Sequence, residues 1–186
     1  MLMRIGGKET GGADECWTEV KNPATGAFID RVPSGTPDDV ARAADAAADA
    51  ADSWKKKPMR ERGIILFHAA GRVREQHRDI AELLTREQGK PLREAIYEVR
   101  GFANILEYYA GISAHSDGEA VRLGPAGDCM VVREPIGCCG AIIPWNMPVI
   151  ILGWKIGPAL LAGNTMVVKP ASTTPLSCLK LAAILD

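Results

Sequence analysis

The sequence has almost no net charge, no long uncharged apolar run and no regular cysteine spacing. Each absence closes off a class of function. Lys and Arg number 22 against 23 Asp and Glu, a net charge of -1, so the totals carry no electrostatic footprint for nucleic acid or a membrane surface. Residues 1–12 (MLMRIGGKETGG) contain no apolar stretch of secretory-signal length. The longest apolar run, Pro148 to Gly163, has Lys155 at its centre and is short for a membrane span, so it reads as a packed helix. The cysteines, Cys16, Cys129, Cys138, Cys139 and Cys178, are odd in number and form no CxxC pair. The adjacent pair 138–139 suits neither zinc nor an ordinary disulfide. They read as reduced packing cysteines, which points to a cytoplasmic protein. His68 and His77 match no common metal spacing, and His115 stands alone. There is no GxGxxG and no P-loop.

What is present is the balance of a globular domain: 186 residues, 47% hydrophobic and 24% charged. Residues 17–33 read as two strands, Trp17 to Val20 and Phe28 to Val32, about the turn Asn22-Pro-Ala-Thr-Gly26. Thr36 caps a helix with Pro37 first and Asp38 and Asp39 in its opening turn, running to about Trp54. Helical spacing over 59–78 puts Ile64, Phe67, Ala70 and Val73 on one face. A shorter helix carries Ile80, Leu83, Leu84 and Glu87, and Gly89-Lys90-Pro91 ends it, with Glu87 to Lys90 organising the helix end. A long helix follows on the stripe Ala95, Val99, Phe102, Leu106, Tyr109. Residues 114–133 read as an exposed hairpin or arm whose second strand is Cys129 to Glu134. Lys55 to Lys57 reads as a solvated helix end, and Gly153 with Gly157 as a close helix contact.

The last part, 134–186, alternates strand and helix: Gly140 to Ile143, Pro148 to Leu161, Thr165 to Val168, then a helix from Pro175 to Leu185. Apolar strands alternating with helices predict a parallel sheet covered by helices. In such sheets ligands bind beyond the carboxyl ends of the strands. The two ends here are Pro144-Trp145-Asn146 and Lys169-Pro170-Ala171-Ser172, which makes them a candidate nucleotide or anion site.

At these residues the sequence resembles the aldehyde dehydrogenase superfamily. The matching blocks are Glu134-Pro-Ile-Gly137, Gly140-Ala-Ile-Ile-Pro-Trp-Asn146, Trp154-Lys-Ile-Gly-Pro-Ala159, Ala162-Gly-Asn-Thr165 and Val168-Lys-Pro-Ala-Ser172 with Thr174-Pro175. Asn22-Pro-Ala-Thr-Gly26 and Glu87-Gln-Gly-Lys-Pro91 agree with the family's N-terminal pattern. The resemblance implies an α/β fold: N-terminal strands and helices over 1–113, an oligomerisation arm over 114–133, and the first half of a Rossmann-like NAD(P)-binding sheet over 134–186. It implies NAD or NADP as cofactor, a small-molecule aldehyde as substrate, and a homo-oligomer for the full-length form.

Residue by residue, the resemblance makes Asn146 the amide donor to the oxyanion formed when a thiolate attacks an aldehyde, a role that needs a donor aimed at developing charge. The alternative is a turn residue. Lys169 would reach ribose hydroxyls; its alternative is a solvated charge. Ile142, Ile143, Pro144, Trp145, Ala171 and Ser172 would line the cofactor path, with core packing the alternative for the isoleucines and for Trp145. Many NAD-preferring members carry a glutamate where Ser172 stands. Its absence removes a carboxylate that would repel a 2′-phosphate, so NADP is expected to be tolerated. Lys155 would support the cofactor or a proton movement, against a snorkelling lysine. Met147 and Ile151 would face the substrate, against ordinary packing.

The family's nucleophilic cysteine, general-base glutamate and pyrophosphate loop match no residue here. The chain is therefore expected to be an inactive part of a longer enzyme, with an open sheet edge that promotes association. The alternatives are a short nucleotide-binding protein and an interaction protein working through the arm. Succinate semialdehyde and lactaldehyde are both compatible with general similarity to the family.

Overall fold

The computed structural model describes residues 1–115 and 118–186. The chain opens with a hairpin that the pattern above does not anticipate, β1 (Met3–Ile5) with β2 (Lys8–Thr10). Gly6 and Gly7 turn it at φ 56° and 75°, the left-handed region a tight hairpin needs. β3 (Trp17–Lys21) and β4 (Phe28–Pro33) form the expected antiparallel pair. Its turn is held by Asn22, whose Oδ1 accepts from the Ala24 amide at 2.9 Å.

α1 (Pro37–Lys56) starts on a reciprocal cap. The Asp39 amide donates to Thr36 Oγ1 at 3.2 Å and the Thr36 amide to Asp39 Oδ2 at 2.9 Å. Amide donation from Thr36, and from Ala13 as well, holds the Asp39 carboxyl well below the usual range. α2 (Met59–Glu75), α3 (His77–Gln88) and α4 (Leu92–Ile112) complete the helical layer.

The buried face of α2 is Arg62, Gly63, Leu66, Ala69, Ala70 and Val73. The expected stripe was rotated: Ala70 and Val73 are buried, but Ile64 is 50% and Phe67 59% exposed. Small residues decide this face. A Cβ on Gly63 would collide with Ser113 Oγ and stand 3.1 Å from the Ala110 carbonyl of α4. The close approach of α2 to α4 thus selects the glycine side and leaves the bulkier Phe67 outside. The expected continuous helix over 59–78 breaks at Gln76, where α2 gives way to α3.

β5 (Glu119–Arg122) and β6 (Asp128–Val131) make an exposed antiparallel hairpin that pairs with no other strand among the described residues. Ser116 and Asp117, part of the expected 114–133 arm, lie outside the described residues. β7 (Cys138–Ile142), α5 (Pro148–Leu161), β8 (Thr165–Lys169) and α6 (Leu176–Leu185) follow. β7 and β8 run parallel, from Cys138 opposite Thr165 to Ile142 opposite Lys169. Among the described residues each pairs with no other strand, so both outer edges are open.

One core joins the helical layer to this unit. Leu66, Ile80, Leu84, Val99, Phe102 and Leu106 pack with Ala141, Ile143, Leu152, Ile156 and Leu181. α5 reaches α4 through Gly153 and Gly157, where added Cβ atoms would meet Phe102 at 3.0 Å and Tyr109 at 2.8 Å. Arg62 is buried and donates from Nε to the Leu161 carbonyl at 2.8 Å, tying the end of α5 to α2.

Two glycines of α2 separate packing from propensity. Nothing lies within 4 Å of a Cβ placed on Gly71. Gly71→Ala should therefore stabilise the chain by about 0.5–1 kcal/mol, the helix-propensity difference. Gly63→Ala should destabilise it by about 1–2 kcal/mol, because overpacking against the Ala110 backbone exceeds that gain. Denaturant melts of both variants check the opposite signs.

Candidate active site at the strand tips

The parallel register puts the ends of β7 and β8 side by side. The Ile143 amide extends the pairing by donating to the Lys169 carbonyl at 3.0 Å. Beyond that point the chains part into two turns, 144–147 and 170–175. Asn146, Lys169 and Ser172 are all exposed at this common end.

The two isoleucines separate. Ile142 is 80% exposed, while Ile143 is 1% exposed and belongs to the core. Strand alternation sends neighbours to opposite faces, so Ile143 takes the core-packing alternative while Ile142 stays at the surface. Pro144 and Trp145 are exposed, the latter by 59%. Ala171 is half-buried, and its carbonyl accepts from the Thr174 amide at 3.1 Å, closing the second turn. Met147 is exposed and Ile151 half-buried. Lys155 is exposed on α5 beside the exposed Trp154 and has no ion pair among the described residues. Lys169 donates to the Pro170 carbonyl at 3.2 Å.

The main chain of Asn146 is anchored while its side chain is not. Its carbonyl accepts from Lys90 Nζ at 3.0 Å and from Gln88 Nε2 at 3.4 Å. Its side-chain amide has no hydrogen-bond partner among the described residues. Lys90 is also ion-paired with Glu98, whose side chain is 2% exposed. The other oxygen of Glu98 accepts from the Val149 and Ile150 amides at 2.8 and 3.2 Å. It thereby caps α5, whose N-cap Met147 offers no side-chain acceptor.

Glu87 does the same for α6. It accepts from the Leu176 and Ser177 amides at 2.8 and 2.9 Å, where the N-cap is Pro175 and makes no side-chain cap. Burial pushes the Glu87 carboxyl up to about 6, against the amide donations that favour its charged form. Sequence reasoning assigned no such role to Glu98. A signal was available: it falls within the stripe Ala95, Val99, Phe102, where a carboxylate on an apolar face implies a buried partner.

No described cysteine is placed as a nucleophile for these tips. Cys138 and Cys139 begin β7, at its far end, and Cys129 sits in the hairpin. Cys178 has its Sγ 3.9 Å from the Pro148 carbonyl, but it is buried and burial pushes its thiol well up. The described residues contain no cluster of three or more His, Cys, Asp or Glu able to hold a metal. Nor is any described helix long and apolar enough to cross a membrane.

Comparison with known proteins bears on this arrangement. The model of the aldehyde dehydrogenase family matches residues 10–186. Lactaldehyde dehydrogenase from Escherichia coli is 34% identical over 100% of this chain and 39% of its own, with a TM-score of 0.95. An NADP dependent enzyme of Escherichia coli is 37% identical over 97% of this chain and 38% of its own, with a TM-score of 0.95. A point mutant of betaine aldehyde dehydrogenase from Staphylococcus aureus, in complex with NAD+, is 31% identical over 97% of this chain and 37% of its own, with a TM-score of 0.93. The chain thus spans under two fifths of the length of each.

The cap on α6 makes a pH prediction. A carboxyl raised from 4.5 to about 6 binds its proton more tightly folded than unfolded. Its contribution to stability is therefore complete below about pH 4.5 and is lost as the pH rises through about 6. The loss amounts to about 2 kcal/mol. Denaturant titrations from pH 4.5 to 7 should show this fall in the unsubstituted chain relative to Glu87→Gln, in which the carboxyl cannot ionise. Parallel profiles would contradict the assignment.

Proposed function

The chain belongs to the aldehyde dehydrogenase family, and from that premise we propose that it supplies the cofactor-facing strand tips and the oxyanion donor for NAD(P)-dependent oxidation of an aldehyde to a carboxylic acid. The observation that carries this reading is the parallel register of β7 and β8, with Asn146 and Lys169 exposed at the same end. The donor set suits a dinucleotide. Lys169 offers an ammonium and Ser172 a hydroxyl to ribose oxygens, while exposed Ile142, Pro144 and Trp145 offer apolar surface to a base. The chemistry that a bound NAD(P) would supply here is a hydride acceptor for aldehyde oxidation.

The chain's own residues bind and orient. Thiolate attack turns the carbonyl oxygen into an oxyanion, and the unpartnered amide of Asn146 donates to it. Loss of one such donor raises the barrier by about 3–4 kcal/mol. Glu87 and Glu98 are committed to helix caps, so neither is free to act as the base that activates water. The 186 residues by themselves should therefore generate no NAD(P)H from lactaldehyde or another aldehyde. Absorbance at the nicotinamide band in purified protein checks this.

The free cysteines, of which only Cys178 is buried, support a reducing, cytoplasmic setting. The exposed β5–β6 hairpin supports a homo-oligomer assembled through it. Lactaldehyde and succinate semialdehyde remain the substrates to try first.

Ser172 makes the cofactor prediction. NAD and NADP should bind within about tenfold of each other, a difference below about 1.4 kcal/mol. Ser172→Glu should weaken NADP by at least about tenfold through repulsion of the 2′-phosphate, with NAD unchanged or tighter. Calorimetric titration with both dinucleotides decides it. Binding of neither would favour a purely structural or interaction role.

A further inference from the structure

We propose that Lys90 and Glu98 are positioning residues for Asn146: a buried ion pair on the helical layer that fixes the peptide carrying the oxyanion donor. The proposal deepens the reading of Asn146 given above and rests on it.

Three observations carry the argument. Lys90 Nζ bridges the Asn146 carbonyl, at 3.0 Å, and the Glu98 carboxylate. Glu98 in turn holds the Val149 and Ile150 amides, the start of the helix that follows Asn146. The side-chain amide of Asn146 takes part in none of this. The peptide is therefore gripped on both sides while its functional group stays free. The N-cap of α5 adds no side-chain hydrogen bond, and the other side-chain donor to the Asn146 carbonyl among the described residues is Gln88 Nε2, at a longer 3.4 Å.

Orientation, not field, is the effect expected. The Lys90 charge is balanced by Glu98, with side chains 13% and 2% exposed, so the pair adds little net potential at the developing oxyanion. What it fixes is where the Asn146 amide points. Displacement of a catalytic group by about 1 Å can cost about 10²-fold in rate.

The test is a double-substitution cycle in the intact enzyme, with NAD and lactaldehyde as probes. Asn146→Ala should lower kcat by about 10²–10³-fold. Lys90→Met should lower kcat by about 10–100-fold with the affinity for NAD unchanged within twofold. In the Asn146→Ala background Lys90→Met should cost less than twofold, because the donor it positions is already gone. Lys90→Arg, which can still donate to the carbonyl, should recover most of the rate. An equal cost of Lys90→Met in both backgrounds, or no cost in either, overturns the proposal.

Lys90→Met leaves a buried carboxylate behind and can fail to fold. Lys90→Met with Glu98→Gln removes both charges, keeps an acceptor for α5, and should show the same cycle. Amide hydrogen exchange separates this proposal from the dehydrogenase reading. In Lys90→Met the amides of Met147, Val149 and Ile150 should exchange at least tenfold faster, with those of 154–157, 159 and 160 unchanged. If the unsubstituted enzyme oxidises neither lactaldehyde nor succinate semialdehyde, the dehydrogenase reading is what fails, and the exchange result alone then decides the clamp. Unchanged exchange at Met147, Val149 and Ile150 refutes it.

Discussion

The strand-tip region depends on two buried carboxylates that cap helices far from them in sequence. Both helices that follow the parallel strands begin without a side-chain cap of their own. An α-helix leaves its first four amides without internal partners, and burying them unsatisfied is costly. Glu98, 51 and 52 residues before its partners, and Glu87, 89 and 90 residues before its own, fill that need from the helical layer. The carboxylates also complement the positive ends of the helix dipoles. Because the caps come from α3 and α4, Asn146 and Ser172 are not needed as caps, and both stay exposed.

The two carboxylates are not equivalent, and the difference lies in their partners. Glu98 is balanced by Lys90, whereas Glu87 has no ion-pair partner among the described residues and is raised by burial. A buried carboxylate without a counter-charge meets a desolvation cost when ionised that its two amide donors only partly offset, so net stability falls as Glu87 ionises, whereas Glu98 has Lys90 beside it. The asymmetry follows the job each performs. Glu98 also holds the lysine that reaches the Asn146 carbonyl, whereas Glu87 holds only a helix start.

Much of this was legible in the sequence, and the parts that were not share a cause. The bounds of α5 followed from Pro148 at its start and Gly163 beyond its end, since proline and glycine act locally on the backbone. The parallel pairing followed from apolar strands alternating with helices. The rotation of α2 was illegible because Gly63 matters only through Ser113 and Ala110, some fifty residues on. Of the two readings open for Ile142 and Ile143, strand alternation separates them, one exposed and one in the core. Glu98 was missed because a carboxylate within an apolar stripe reveals that it has a partner but not which one. The β1–β2 hairpin went unread although Gly6-Gly7 marks it, because three-residue strands offer too little alternation to stand out.

The same long-range logic explains two motif blocks that touch no strand tip in sequence. Asn22 to Gly26 is a surface turn and Glu87 to Pro91 a helix end, yet they meet: a Cβ on Gly89 would stand 2.9 Å from Pro23 Cγ. Gly89 adopts φ 91°, terminating α3 in the left-handed conformation. That turn sends Glu87 toward α6 and Lys90 toward Asn146 from positions three residues apart. A residue with a side chain at 89 would be strained in its backbone and pressed against the hairpin loop at once. The turn at Asn22 to Gly26 thus leaves room only for a glycine at 89, through Pro23.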